Sequence, residues 1–164
     1  MTINREIPGP GQESVWDYPR PPRLQDCTKH IEVVVNSVKI ASSRRSRRVL
    51  ETSHPPVYYI PQTDIRMQYL VETERQSWCE WKGTARYFDV CVENRLIPAA
   101  AWSYPEPTEA FEPIRDYIAF YPSRVDACFV DEERVRSQAG DFYGGWITNN
   151  IVGPFKGEPG TAGW

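Results

Sequence analysis

The chain of 164 residues has only two histidines and two methionines, and its four cysteines, Cys27, Cys79, Cys91 and Cys128, form no C-x-x-C pair. A zinc site would have to collect ligands from distant strands, so neither a metal nor a cofactor is expected. No stretch approaches the ~20 apolar residues that cross a bilayer. The polar start Met1-Thr2-Ile3-Asn4-Arg5-Glu6 carries no secretory apolar core. The expectation is a cytoplasmic protein with reduced, half-buried thiols and no membrane partner. An excess of one charge is also missing. Lys and Arg number 19 against 22 Asp and Glu, and the net charge of -3 gives too weak a field to recruit nucleic acid. Long helical periods are scarce, and 15 prolines and 10 glycines argue for strands joined by many turns.

Aromatic rings are abundant: 6 Trp, 9 Tyr and 6 Phe. Buried Tyr and Trp each need a partner for a polar atom, so they favour pocket walls over a dry core. Some of these rings are expected to face a cavity.

One strand-and-turn pattern occurs three times. Ile31-Glu32-Val33-Val34-Val35-Asn36-Ser37 recurs as Phe88-Asp89-Val90-Cys91-Val92-Glu93-Asn94, and again as Val125-Asp126-Ala127-Cys128-Phe129-Val130-Asp131-Glu132. Apolar residues alternate, an acid follows the first of them, and a polar turn closes each run, as in half-buried hairpin strands. The predicted hairpins turn at Asn36-Ser37, Glu93-Asn94-Arg95 and Asp131-Glu132-Glu133. Equivalent copies would send Ile31, Val33, Val35, Phe88, Val90, Val92, Val125, Ala127 and Phe129 into one core. Glu32, Asp89 and Asp126 then share the opposite face with Cys91 and Cys128. Short helices fit Pro61–Leu70 and Thr108–Tyr117. Tyr58-Tyr59-Ile60-Pro61 after the first unit is similar to Ala119-Phe120-Tyr121-Pro122 after the second, an internal pseudo-repeat.

The fold class is therefore mainly β: a compact set of hairpin-based twisted sheets or a partly open barrel, with one or two short helices. Three segments are expected. Residues 1–26 form an extended Pro/Gly-rich arm with Trp16 and Tyr18 as anchors, 27–140 a single β domain with duplicated hairpin units, and 141–164 a Gly/Pro/aromatic extension packed on the body. Arg44-Arg45-Ser46-Arg47-Arg48 reads as a solvated edge strand, its charges split between two faces.

The densest chemistry lies in Glu51-Thr52-Ser53-His54-Pro55-Pro56-Val57-Tyr58-Tyr59-Ile60-Pro61. Consecutive prolines force an extended backbone and bring a carboxylate, an imidazole and two phenols to a strand mouth, the groups that proton transfer uses. The ordinary alternative is a Glu51–Arg pair beside a His54 packed on proline. In Trp78-Cys79-Glu80-Trp81-Lys82-Gly83 a thiol stands near a cation.

These residues carry a resemblance. Val49-Leu50-Glu51, Pro55–Pro61, Asp64, Cys79-Glu80-Trp81-Lys82-Gly83-Thr84-Ala85-Arg86-Tyr87 and Ala101-Trp102-Ser103-Tyr104-Pro105-Glu106-Pro107 resemble the family catalogued as domain of unknown function 427, over about residues 30–122. The resemblance implies a compact tent-like or barrel-like β fold. It also brings the label nucleotidyltransferase-like, although the chain has neither a Gly-rich loop ahead of a Lys nor an Asp-x-Asp pair. The family's motif residues fall on Glu51, Tyr58, Tyr59, Asp64, Cys79, Lys82, Gly83, Tyr87, Trp102 and Tyr104.

The functional expectation is a small-molecule-binding domain with proton-transfer chemistry. Tyr58, Tyr59, Tyr87, Trp102 and Tyr104 would enclose a planar ligand, Glu51 or His54 would act as base, and Lys82 would stabilise developing negative charge. The alternative is a non-catalytic interaction module whose aromatic and proline-rich termini dock on another protein or on a second copy, as a homodimer.

Overall fold

Alternation of burial defines the strands. In β3 (Ile31–Val35), Ile31, Val33 and Val35 have no exposed surface, whereas Glu32 and Val34 are half-buried. The computed structural model describes residues 3–164. Numbered in chain order, β1 (Glu13–Ser14) and β2 (Arg23–Cys27) precede that strand. After it come β4 (Val38–Ser43), β5 (Ser46–Leu50), β6 (Val57–Tyr59), β7 (Leu70–Cys79), β8 (Gly83–Val92) and β9 (Arg95–Ser103). The short strands β10 (Ala119–Phe120), β11 (Ala127–Val130), β12 (Glu133–Arg134), β13 (Arg136–Ser137), β14 (Trp146–Ile147) and β15 (Ile151–Val152) complete the order.

The fold is mainly β, built of twisted antiparallel sheets, and among the described residues none closes into a barrel. Two sheets have four strands, ordered β10-β9-β8-β7 and β12-β11-β3-β4; a third is β2-β5-β6, and β13-β14 is a lone pair. The pair β1-β15 is parallel and ties the two ends of the chain together. Among the described residues helical structure is limited to 3-10 turns at Val15–Asp17, Gln62–Asp64, Met67–Tyr69 and Glu109–Ile114, the last three inside the segments where short helices are predicted. Pro113 removes a backbone donor within the last of these, and runs this short do not nucleate an α-helix.

All three predicted hairpins are present. Asn36 and Ser37 take φ of 51° and 62°, and Asp131 and Glu132 take 46° and 70°, the paired left-handed residues of a tight two-residue hairpin turn. The third copy is out of step with the other two. Cys128 pairs with Val33 and Val130 with Ile31, so Cys128 and Val130 face the core while Ala127 and Phe129 are only half-buried. The cause is the start of the strand: β11 begins at Ala127, after a turn through Val125-Asp126, and a one-residue slip reverses every side chain that follows.

The arginine run also differs from its reading. β5 is the central strand of its sheet, between β2 and β6, not an edge. Arg48 is buried there because Gln25 accepts from its Nε at 2.8 Å and Glu13 from its Nη1 at 2.6 Å. Arg23–Cys27 is likewise a strand of that sheet.

The sheets meet where the two aromatic-Pro segments meet. Ile60 and Ile118 exchange backbone hydrogen bonds of 2.8 Å, which sets β6 beside β10. One face of this junction belongs to the main core with Tyr58, Phe120 and Trp146; the other carries Tyr59, Trp102, Tyr104 and Tyr121 in a second cluster.

Candidate functional site

A tight turn after β5 aligns the first pair of side chains. The His54 N–H donates to the Glu51 carbonyl at 3.0 Å, and Ser53 adopts φ of 72°, buried and held by Val15 and Lys156 backbone groups. This spacing brings His54 Nε2 within 3.6 Å of Glu51 Oε2. The same Oε2 accepts from Arg20 Nε at 3.1 Å, which leaves Oε1 without a partner among the described residues.

Gln138 fixes the imidazole from the other side. Its Oε1 accepts from the Gly145 N–H at 3.1 Å and its Nε2 donates to the Lys156 carbonyl at 2.7 Å, so the amide can face only one way. The remaining Nε2 hydrogen reaches His54 Nδ1 at 3.1 Å. Nδ1 is therefore an acceptor, and the neutral ring carries its proton on Nε2, toward Glu51. Burial pushes the His54 pKa down to about 4; the Glu51 charge opposes the shift, while those of Lys156, Arg20 and Lys82 add to it. At neutral pH the imidazole beside Glu51 is therefore uncharged.

A second turn brings the cation. Gly83, at φ of 105°, closes the β7–β8 turn in a conformation that side chains disfavour, as its Lys-Gly step suggests. Thr108 pins this turn by donating from its N–H to the Lys82 carbonyl at 3.1 Å and from its hydroxyl to the Trp81 carbonyl at 2.6 Å. The Lys82 side chain is drawn inward to 9% exposure, its Nζ lying 5.7 Å from the Tyr104 ring centre and 5.9 Å from that of Phe111.

The rings come from paired strands. Tyr87 on β8 is opposite Trp102 on β9, and Tyr104 follows on the same face. Trp102 Nε1 donates to the Tyr59 hydroxyl at 3.3 Å, and its ring lies 4.5 Å from that of Tyr121. Burial raises the pKa values of Tyr59, Tyr104 and Tyr121, so these phenols act as neutral donors or acceptors, never as bases.

Glu51, His54, Tyr59, Lys82, Tyr87, Trp102 and Tyr104 all line one open cavity of about 290 Å³. Cys79 is in the same wall. Tyr58 does not join them: alternation along β6 turns it into the main core, 4.9 Å from the Trp146 ring. Asp64 is elsewhere, held by both Arg45 and the Ser43 hydroxyl, an arrangement that lowers its pKa and explains it structurally. The three repeated acids are structural as well. Glu32 pairs with Lys39 at 2.5 Å, Asp89 accepts the Ala99 N–H at 2.8 Å in a bulge, and Asp126 accepts the Asn36 N–H at 2.6 Å.

Sequence reasoning missed the far wall, formed by Tyr121, Gln138, Phe142, Tyr143, Gly144 and Lys156. Gly144-Gly145 was the available signal. A Cβ on Gly144 would stand 2.3 Å from Trp102 Cη2, and one on Gly145 would stand 2.5 Å from Gln138 Oε1. These two glycines allow the loop to close over the indole and the amide.

Residues 23–131 match the family model described as domain of unknown function (DUF427). The chain belongs to that family. No curated protein matches it. The DUF427 span supplies Glu51, His54, Lys82 and the ring wall, whereas Arg20 precedes it and Gln138, Tyr143, Gly144 and Lys156 follow it. No helix among the described residues is long and apolar enough to cross a membrane.

Proposed function

We propose that this DUF427 member binds a small planar ligand in the ring-walled cavity and moves a proton at its Glu51–His54 end. The observation that carries the reading is a concentration of unpartnered polarity in one place: Glu51 Oε1 and the Lys82 ammonium both belong to a cavity whose walls include the rings of Tyr59, Tyr87, Trp102 and Tyr104. Apolar walls with a few placed polar groups are what small-molecule sites require. Glu51 is the acceptor in this scheme. His54, with Nδ1 occupied by Gln138, presents its Nε2–H toward the carboxylate at 3.6 Å, a gap that a bound ligand's proton movement would close.

The rival reading, docking through the termini, has less support. Trp16 packs against Trp164 at 5.2 Å, Trp16 Nε1 donates to the Pro154 carbonyl at 2.9 Å, and Tyr18 donates to Glu13 at 2.7 Å. These anchors are engaged within the chain.

Thermal-shift screening of a panel of planar metabolites tests the proposal. Saturable stabilisation by panel members that weakens in Glu51→Ala and Lys82→Ala, with both variants folded, is the expected result. Identical shifts in wild type and both variants would remove these residues from the role.

A further inference from the structure

Lys82 specifies more than a polar end. Of the two lysines in the cavity wall, Lys156 donates to the Trp164 carbonyl at 3.4 Å, whereas Lys82 Nζ has no acceptor or counter-charge among the described residues. Glu51 is already paired with Arg20. At 9% exposure Lys82 keeps only a narrow contact with water. The faces of Tyr104 and Phe111 compensate an ammonium only in part. Glu80 also lines the wall but makes no ion pair with Lys82, so among the described residues Lys82 is the wall's one lysine whose head has neither a carboxylate nor a carbonyl on it.

A single ammonium selects among anions. Phosphate sites gather several donors, from Gly-rich loops, helix N-termini or arginine forks. Among the described residues no arginine lines this cavity. A volume of about 290 Å³ is at the small end for ligand pockets and suits one or two fused rings. We infer that the cavity takes a planar monocarboxylic acid, its carboxylate on the Lys82 ammonium and its ring among Tyr87, Trp102 and Tyr104. A hydroxyl or amine at the far end of the ligand meets Glu51 Oε1. This inference rests on the reading of the cavity as a ligand site.

The test is a titration of wild-type protein, followed by tryptophan fluorescence and calorimetry, with benzoate, 4-hydroxybenzoate and indole-3-carboxylate against the matching neutral carboxamides. The acids are expected to bind saturably, at least tenfold more tightly than the amides, with affinity falling as salt is raised. Loss of a buried charge partner in Lys82→Met weakens binding by about 30-fold or more. Lys82→Gln, which keeps a polar head, serves if the Met variant misfolds and shows the same loss. Equal affinity for acid and amide, or acid binding unchanged in both variants, overturns the monocarboxylate while leaving the cavity as a planar-ligand site. Absence of binding by every acid and every amide overturns both readings together.

Discussion

An ammonium largely enclosed by rings, with no protein acceptor, is less well solvated than in the unfolded chain. In the ligand-free state Lys82→Met should therefore raise the unfolding free energy, by about 1 kcal/mol or less, since it removes a donor that has no protein acceptor and only partial contact with water, and keeps the volume. Urea denaturation measures this directly, and a loss of stability of similar size would mean that Lys82 has a structural partner. His54 gives a second expectation at this scale. Its folded pKa of about 4 is below the unfolded value of 6.5, so the unfolded chain takes up the extra proton first. The resulting stability is complete above pH 6.5 and falls as pH drops toward 4, by about 3 kcal/mol in all. His54→Gln should flatten the dependence in that window. Nitrogen-15 spectra of the wild-type ring at pH 7 should show the Nε2–H tautomer, and a protonated Nδ1 would contradict the Gln138 geometry. Glu13, whose pKa is lowered because Arg48 and Tyr18 outweigh its burial, loses its contribution only at lower pH, below its ordinary 4.5.

The loop between β13 and β14 decides whether the cavity has a far wall. Tyr121 donates its hydroxyl to the Phe142 carbonyl at 3.1 Å and Arg124 Nη2 donates to the Asp141 carbonyl at 2.7 Å, holding the loop over the ring cluster. Gly144→Ala places a methyl carbon 2.3 Å from the indole of Trp102, so the loop or the ring must move. The expected cost is about 1–3 kcal/mol, with a red-shifted tryptophan emission as Trp102 meets water. Unchanged emission and unchanged stability would mean that the loop does not close on Trp102 in solution. Legibility differs sharply between these elements. Hairpin positions were readable because a two-residue polar turn between alternating runs has few other solutions. The register of β11 was not, because it depends on where the preceding turn releases the chain. The central place of β5 was hidden for a related reason: Glu13 and Gln25, which make Arg48 tolerable inside a sheet, are distant in sequence.

On the scale of the whole molecule, segments on either side of the family span complete the site. Arg20 donates to Glu51, to the Thr52 carbonyl at 2.9 Å and to the Trp164 carbonyl at 2.8 Å, joining the Pro-rich arm, the Glu51 turn and the end of the chain in one network. Arg20→Ala should release Glu51 and loosen both terminal segments, visible as faster amide exchange in residues 5–20 and 150–164 with the central sheets unaffected. Exchange confined to residue 20 itself would show the network to be dispensable. Seven of the eight residues singled out from sequence share the cavity because the Ile60–Ile118 contact brings β6 against β10; Tyr58 points the other way because strands alternate, which a motif does not record. The mouth carries Trp78 and Phe142, 72% and 62% exposed, so it is open to solutes. The most direct test of the account is chemical-shift mapping of the wild-type protein and Lys82→Met during titration with 4-hydroxybenzoate. Saturable, coupled shifts of the Trp102 indole N–H and the His54 ring in wild type, absent in the variant, are the expected result. Shifts scattered over the surface, with Trp102 and His54 unmoved, would contradict it.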